Sequence, residues 1–332
     1  MLNKTISFIV DKVPFRWIDM ISDKLLLVPY YHVVSDEILS HVCNLYNYKN
    51  IKQFVSDIDF MGNKYDPISL SDLIDIVKKG KIIKRRSFLL TFDDGYKEMY
   101  YIVAPILLRK GIPAVFFLNT DFIDNKALCH ENKASIIIYY LKQNPSLLNR
   151  LKSFKNIFSG MNRDKIFNTI LQIKYKERNF LDKIADFLDI DFEEFLKNHR
   201  PYLTHLQIKS MIESGFYFGA HSKDHPNYSE LELDEQVSQT LESLKSIKEK
   251  FNLSYAAFAF PYGKKVDNGQ FWKRIAGEVD ITFSTADYRK EIIKWNIYRV
   301  NFERSMLPAA TILKRLKVKY FTYSFFNLMK RD

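Results

Sequence analysis

The feature that most constrains this chain is an alternation of short apolar runs with segments of helical periodicity. Residues 25–34, 88–92, 114–118, 216–220, 256–260, 281–284 and 297–301 read as buried strands, since they are apolar, short and bounded by polar or turn-forming residues. Residues 50–61 carry apolar side chains at 51, 54, 55 and 58 behind the capping residue Asn50, and 71–79 form a second helical stripe stopped by Gly80. A helix over 97–110 ends at Gly111 and is expected to kink at Pro105. Further helical stripes cover 234–251, 269–277 and 308–316. Strands that alternate with helices pair in parallel, because a parallel partner is reached only through a long crossover. Seven such units predict an α/β fold, an irregular (β/α)7 barrel that is incompletely closed.

One stretch breaks the rhythm. Residues 125–214 are rich in Lys and Asn and lack strand alternation, while 165–173, 180–188 and 192–198 have helical spacing. This predicts a helical insertion between the third and fourth strands. The resulting plan is an N-terminal segment 1–24, a barrel 25–305 that contains the insertion, and a C-terminal helix with a basic and aromatic tail over 306–332. Such barrels place chemistry at the C-terminal ends of their strands, and the insertion falls on that rim. It either shapes a substrate groove or serves as an oligomerisation or stability module.

Composition excludes several classes. With 47% hydrophobic and 27% charged residues the chain buries a core and is not disordered. Its two cysteines, Cys43 and Cys129, make neither a disulfide scaffold nor a C-x-x-C metal knuckle. There is no apolar run of about 18 residues, and Lys4, Asp11, Lys12, Arg16 and Asp19 interrupt the start of the chain, so a cytoplasmic location is expected. The net charge of +11 suits anionic partners, such as a lipid-phosphate-linked substrate or a membrane face; it equally suits a compositional bias toward Lys. No nucleic-acid recognition motif is found, and nucleic acid is not expected as a partner.

The strand ends carry ionisable groups: His32, Asp93-Asp94-Gly95, Asn119-Thr120-Asp121, His221 with His225, Pro261-Tyr262-Gly263, and Arg299 with Asn301. On one helical turn, residues four apart share a face, so His221 and His225 can bind one cation. Such a pair is commonplace by itself. A carboxylate from another strand end completes a three-ligand site with positions left for water, the catalytic arrangement. Asp93 and Asp94 are adjacent at a strand end and point in different directions, so one can face the cation and the other its water. A base beside a Lewis acid is what amide or ester hydrolysis requires. A helix cap explains one Asp here, but not two on a buried strand.

Thr91-Phe92-Asp93-Asp94-Gly95, His221-Ser222-x-x-His225 and Phe260-Pro261-Tyr262-Gly263 follow one another in the chain. Together they resemble the motifs of the polysaccharide deacetylases, carbohydrate esterase family 4, over about residues 25–301 less the insertion. The resemblance implies that Asp93 is the general base and that Asp94, His221 and His225 bind a divalent metal. Zinc is the first choice, with cobalt, manganese or nickel as substitutes. It also implies that Tyr262, behind Pro261, lines the substrate groove and that its backbone N–H helps to hold the oxyanion. The implied reaction is attack of water on the acetyl carbonyl of an N-acetylated sugar, releasing acetate and a free amine.

The chain departs from the family pattern in two places. An Arg often stands two residues before Pro-Tyr-Gly and orients the catalytic Asp; here that place holds Ala259. Arg299 either reaches the same carboxylate or forms a rim salt bridge. The family's late Leu-His element, source of the general acid, is absent, since no His follows His225. His32, in Tyr30-Tyr31-His32-Val33, resembles the early Tyr-His element of the poly-N-acetylglucosamine deacetylases, whose motif order is circularly permuted. It is expected as the acid or a substrate contact, the alternative being a core histidine bonded to the backbone.

Residues 314–326 mix basic and aromatic side chains. With Phe8, Phe15, Trp17 and Met20 they either graze an anionic membrane or pack on the barrel. The expected function is metal-dependent removal of an N-acetyl group from a sugar in a cell-surface glycan or its lipid-linked precursor. The departures motivate an alternative, a glycan-binding pseudoenzyme; hydrolysis of another C–N bond or of an O-acetyl ester would use the same apparatus.

Overall fold

The computed structural model describes residues 8, 10–19, 25–263, 266, 268–285, 293–303 and 305–329. Met20 and the other residues of the N-terminal segment outside this set are not described. Every apolar run of the sequence forms a strand, and the first two runs are each split. The strands are β1 (Leu26–Leu27), β2 (Pro29–Tyr31), β3 (Asp66–Pro67), β4 (Ser87–Phe88), β5 (Leu90–Phe92), β6 (Ala114–Leu118), β7 (Tyr217–Ala220), β8 (Ala257–Ala259), β9 (Ile281–Thr285) and β10 (Asn296–Asn301). Three of them form a small parallel sheet in the order β1-β4-β3. The other seven form a parallel barrel in the order β10-β2-β5-β6-β7-β8-β9.

The barrel is closed, which corrects the expectation of an open one. β10 pairs with β9 on one side and with β2 on the other, placing Val300 opposite Pro29 and Asn301 opposite Tyr30. Pro29 has no N–H to give, so its neighbours carry the bonds of this seam. The N–H of Val300 donates to the Val28 carbonyl (2.8 Å) and that of Phe302 to the Tyr30 carbonyl (3.2 Å).

Parallel strands covered by helices are buried on both faces, and β6 is buried at all five positions. Phe116 and Leu118 of β6 pack in one cluster with helix residues such as Leu107 and Leu244. Val115 and Phe117 instead pack with Val28, Leu89, Ala257, Ala259, Ile281 and Phe283. Gly219 is part of this packing. A Cβ there would meet the Phe117 ring at 2.6 Å and the Ala257 carbonyl at 2.5 Å.

The described helices are α1 (Phe15–Asp19), α2 (Ile51–Gly62), α3 (Leu70–Lys79), α4 (Ala104–Lys110), α5 (His130–Gln143), α6 (Pro145–Lys152), α7 (Arg163–Leu171), α8 (Asn179–Phe187), α9 (Phe192–His199), α10 (His205–Glu213), α11 (Leu233–Phe251), α12 (Gly269–Ile275) and α13 (Ala309–Met329). Asn50 caps α2 through a reciprocal pair with Gln53. Before Pro105 the chain makes a wider π turn over Met99–Val103, and α4 then starts with the proline in its first turn. The proline that predicted a kink is placed where its missing N–H costs least.

Between β6 and β7 the chain makes α5 to α10; α5 to α9 share a core of their own that includes Ile137, Phe158, Ile166, Leu181 and Phe195, whereas Ile208 and Met211 of α10 pack in the barrel's cluster. That core also takes in Val33, Val42 and Tyr96 from barrel loops. The closing helix α13 runs to Met329, well beyond the 308–316 expected, because neither Gly nor Pro interrupts it. It packs against α1 and α2. Lys314 Nζ donates to the Asp11 and Val13 carbonyls, and Arg315 Nε donates to the Asp11 carboxylate at 2.9 Å. Part of the basic tail is thus used on the N-terminal segment.

Candidate active site

Asp93 follows the last residue of β5, and its N–H donates to the Tyr31 carbonyl at 3.0 Å. Its carboxylate is buried and faces Arg299 of β10. Arg299 Nη1 and Nη2 each donate to one Asp93 oxygen at 2.7 Å, the two-pronged geometry that a guanidinium fits best. The guanidinium also lies 4.8 Å from the Tyr30 ring centre and 5.4 Å from that of Phe117. Burial alone would raise the Asp93 pKa; the Arg299 charge and its hydrogen bonds, with His221 and His32, bring it down to about 2. Arg299 therefore reaches the Asp93 carboxylate from the last strand, while Ala259 occupies the place where the family often has an Arg.

Asp94 turns away from Asp93 because its backbone takes a positive φ of 69°. Its Oδ1 lies 3.6 Å from His221 Nε2 and 3.5 Å from His225 Nε2. The two histidines are not on a helix, contrary to the sequence expectation. They flank an irregular turn in which Ser222 and His225 have φ of 71° and 61°. The Ser222 hydroxyl oxygen accepts from the His225 N–H at 3.0 Å and fixes that turn. The imidazole centres lie 5.1 Å apart.

The donor set fits a divalent cation. Asp94 Oδ1 is buried without a hydrogen-bond partner, a costly state that a cation would relieve. One ligand atom each from Asp94, His221 and His225 lies within 4.8 Å of the other two. The distal ring nitrogens are already engaged: His221 Nδ1 with the Ala259 carbonyl (2.8 Å) and His225 Nδ1 with Glu131 Oε2 (2.7 Å). Both Nε2 atoms are thereby left as the ligating atoms. Burial pushes His221 down to about 3 and raises the Asp94 carboxyl. His225 is held well above its ordinary value: burial opposes this, but the Glu131 and Asp94 carboxylates outweigh it. A cation at this site would displace that proton.

His32 sits just past β2, half-buried. Its ring Nδ1 meets a carboxylate oxygen of Glu303, and its backbone N–H donates to the other at 2.9 Å. Burial would lower the His32 pKa, but Glu303, with Asp94 and Asp93 behind it, pushes it up to about 9. Pro261 is buried at the start of the turn after β8, whereas Tyr262 is exposed at its tip. The Tyr262 hydroxyl donates to Glu131 Oε1 at 2.6 Å, and its ring lies 5.1 Å from that of His225. A cavity of about 400 Å3 opens over these groups. Asp93, Asp94, His221, His225, His32, Arg299 and Tyr262 all line it, together with Glu131, Asn132 and Leu171 from the insertion. Pro261 is not part of that lining and backs the turn instead.

Two carboxylates escaped the sequence reading. Glu303 lies two residues past the end of β10, beside the strand that delivers His32. Glu131 stands at the start of α5, where the consecutive Cys129-His130-Glu131 is the sequence signal that points to it. Only the folded chain brings either of them to the site.

Comparison with known proteins agrees with this geometry. The Polysaccharide deacetylase family model matches residues 81–160 and 177–277, more than half of the chain. A 65-residue stretch is 35% identical to the Poly-beta-1,6-N-acetyl-D-glucosamine N-deacetylase of Escherichia coli (strain K12), covering 20% of this chain and only 10% of that protein. Among solved structures, the deacetylase PplD of Streptococcus pyogenes, in complex with acetate, superposes with a TM-score of 0.56 at 15% identity over 87% of this chain and 97% of that one. IcaB from Ammonifex degensii gives a TM-score of 0.56 at 15% identity over 89% and 98%. Both share the fold. The motif-bearing region and the barrel that carries it make this chain a member of the polysaccharide deacetylase family.

Proposed function

We propose that this chain removes N-acetyl groups from an N-acetylated glycan by metal-dependent hydrolysis. The observation that carries this reading is Asp94 Oδ1, buried without a hydrogen-bond partner and facing two imidazole nitrogens, next to a second carboxylate held ionised by Arg299. One carboxylate with two imidazoles and open positions favours zinc among the divalent metals. A cation held by Asp94, His221 and His225 would supply Lewis-acid polarisation of the acetyl carbonyl and of water.

The chain's own groups divide the remaining work. Asp93 accepts a proton from the attacking water. A carboxylate held near 2 does so only from a water more acidic than bulk water, so its role as base and the need for a cation stand together. His32, protonated against Glu303, donates to the departing nitrogen. Tyr262, at the mouth of the cavity, contacts the sugar, and its backbone N–H is the proposed oxyanion donor. Arg299 on Asp93 and His32 on Glu303 weigh against a binding-only protein.

We infer a substrate drawn from a cell-surface glycan or its lipid-linked precursor; the net charge of +11 supports attraction to an anionic carrier. The test is acetate release from poly-β-1,6-N-acetylglucosamine oligomers, other N-acetylated oligosaccharides and lipid-linked N-acetylated sugars. Release is expected to disappear on chelation and return with zinc, and to fall in Asp93→Asn. Acetate release that ignores both chelation and Asp93→Asn overturns the reading.

A further inference from the structure

We propose that Glu131, carried by the helical insertion, is a positioning residue of the metal site. Its carboxylate holds the Nδ1 side of His225 and the hydroxyl of Tyr262, so the insertion completes the metal site rather than merely standing beside it. The inference rests on the metal-dependent reading above.

The two histidines are oriented from different parts of the molecule. His221 Nδ1 is engaged by the Ala259 carbonyl, a fixed part of β8. His225 has no such strand neighbour. It lies in an irregular turn with a positive φ, and its Nδ1 is met at 2.7 Å by Glu131 Oε2. When Nδ1–H donates to a carboxylate, the imidazole keeps its lone pair on Nε2, the atom that faces Asp94. The other Glu131 oxygen accepts from the Tyr262 hydroxyl at 2.6 Å. One carboxylate thus ties a metal-ligand candidate to the tyrosine at the cavity mouth.

Glu131 is itself held in place. It occupies the first turn of α5, where the helix dipole favours a carboxylate. The next residue, Asn132, is buried and donates to the His41 carbonyl (2.7 Å) and to the Tyr96 hydroxyl (2.9 Å). Asn132 also accepts from the Tyr202 hydroxyl at 2.5 Å, and that same hydroxyl accepts from the Cys129 N–H at 3.0 Å. The start of α5 is therefore bonded to the loop after β2, to the turn after Asp94 and to the far end of the insertion. A satisfied buried network of this kind allows one position for the Glu131 backbone.

The test uses the full chain and reads zinc affinity by competition with a chelator, alongside the thermal midpoint of the metal-free protein. Glu131→Ala is expected to weaken zinc binding by about 10- to 100-fold, and to lower the metal-free midpoint only by the loss of its bonds to His225 and Tyr262. Tyr262→Phe removes only the second partner and is expected to bind zinc as the unaltered chain does. Glu131→Gln keeps the shape without the charge and is expected to fall between. If Glu131→Ala does not fold, Glu131→Gln decides. Zinc affinity equal to that of the unaltered chain, in whichever of the two variants decides, overturns the assignment. An unaltered chain that takes up no zinc overturns the metal-dependent reading itself, which is a distinguishable result.

Discussion

Arg299 and Asp93 lie 206 positions apart and meet through two parallel hydrogen bonds of 2.7 Å inside the barrel. The meeting depends on closure. β2 is the shared neighbour of β10 and β5, so the last strand of the chain is two places from the strand that begins the Thr91–Gly95 motif. A guanidinium on the last strand can therefore do what the family often assigns to a residue beside Pro-Tyr-Gly.

Truncating Arg299 tests this pair. Arg299→Ala leaves a buried carboxylate without its counter-charge, which costs about 3–5 kcal/mol in comparable buried pairs. Arg299→Lys keeps the charge but not the fork and is expected to lose less stability while still losing most acetate release. Urea unfolding of the two variants checks it. An alanine variant as stable as the unaltered chain contradicts the structural role given to this pair.

Asp93→Asn separates base from ligand. Removing a general base typically costs about 10²–10⁴ in rate. The nearest His221 nitrogen is 4.0 Å from Asp93 and closer to Asp94, so zinc affinity is expected to change little. Acetate release and zinc titration on the same preparation give the two readings. A large loss of zinc affinity would show that Asp93 is a ligand and not the base.

The barrel was legible because each strand is apolar and short, and because closing loops leave their ionisable residues at strand ends. Asp93, Asp94, His221, His225 and Tyr262 fall at such ends and converge. The H-x-x-x-H spacing reads as a helical turn because nothing in Ser222 or His225 announces a positive φ; the turn is imposed by its surroundings. Glu131 and Glu303 were invisible for another reason. Glu131 matters through partners 94 and 131 positions away and Glu303 through one 271 positions away, and no local period encodes such contacts. Arg299 was legible as a candidate, but its geometry required closure of the barrel.

Gly263 fixes the turn that carries Tyr262. Its φ is +66°, and a Cβ there would meet Thr285 Cγ2 at 2.0 Å. The Thr285 hydroxyl also donates to the Gly263 carbonyl at 2.8 Å. Gly263→Ala is expected to cost about 1–3 kcal/mol through overpacking, beyond the strain of the left-handed backbone. Adding Thr285→Ser removes the nearest clashing atom but leaves the hydroxyl oxygen at 2.8 Å and Cβ at 2.9 Å, so the double variant is expected to recover only part of the thermal midpoint. No recovery in the double variant would show that the methyl contact is not the source of the loss.

On the proposed role of His32, the His32–Glu303 pair is expected to set the alkaline side of the activity profile. Glu303 pushes the His32 pKa from 6.5 up to about 9 in the folded chain. A raised folded pKa means that the protonated pair stabilises the protein fully below about pH 6.5, and that this contribution fades as pH rises through about 9. Donation to the departing nitrogen needs the same proton, so kcat/KM is expected to fall above about pH 9 with the loss of one proton. Glu303→Gln removes the main cause of the elevation and is expected to move that limb toward neutral pH. His32→Ala is expected to lower the rate by about 10²–10⁴ and to abolish the limb. The measurement is kcat/KM against pH for the three proteins. Superimposable alkaline limbs in the unaltered chain and Glu303→Gln would place the general acid elsewhere in the cavity.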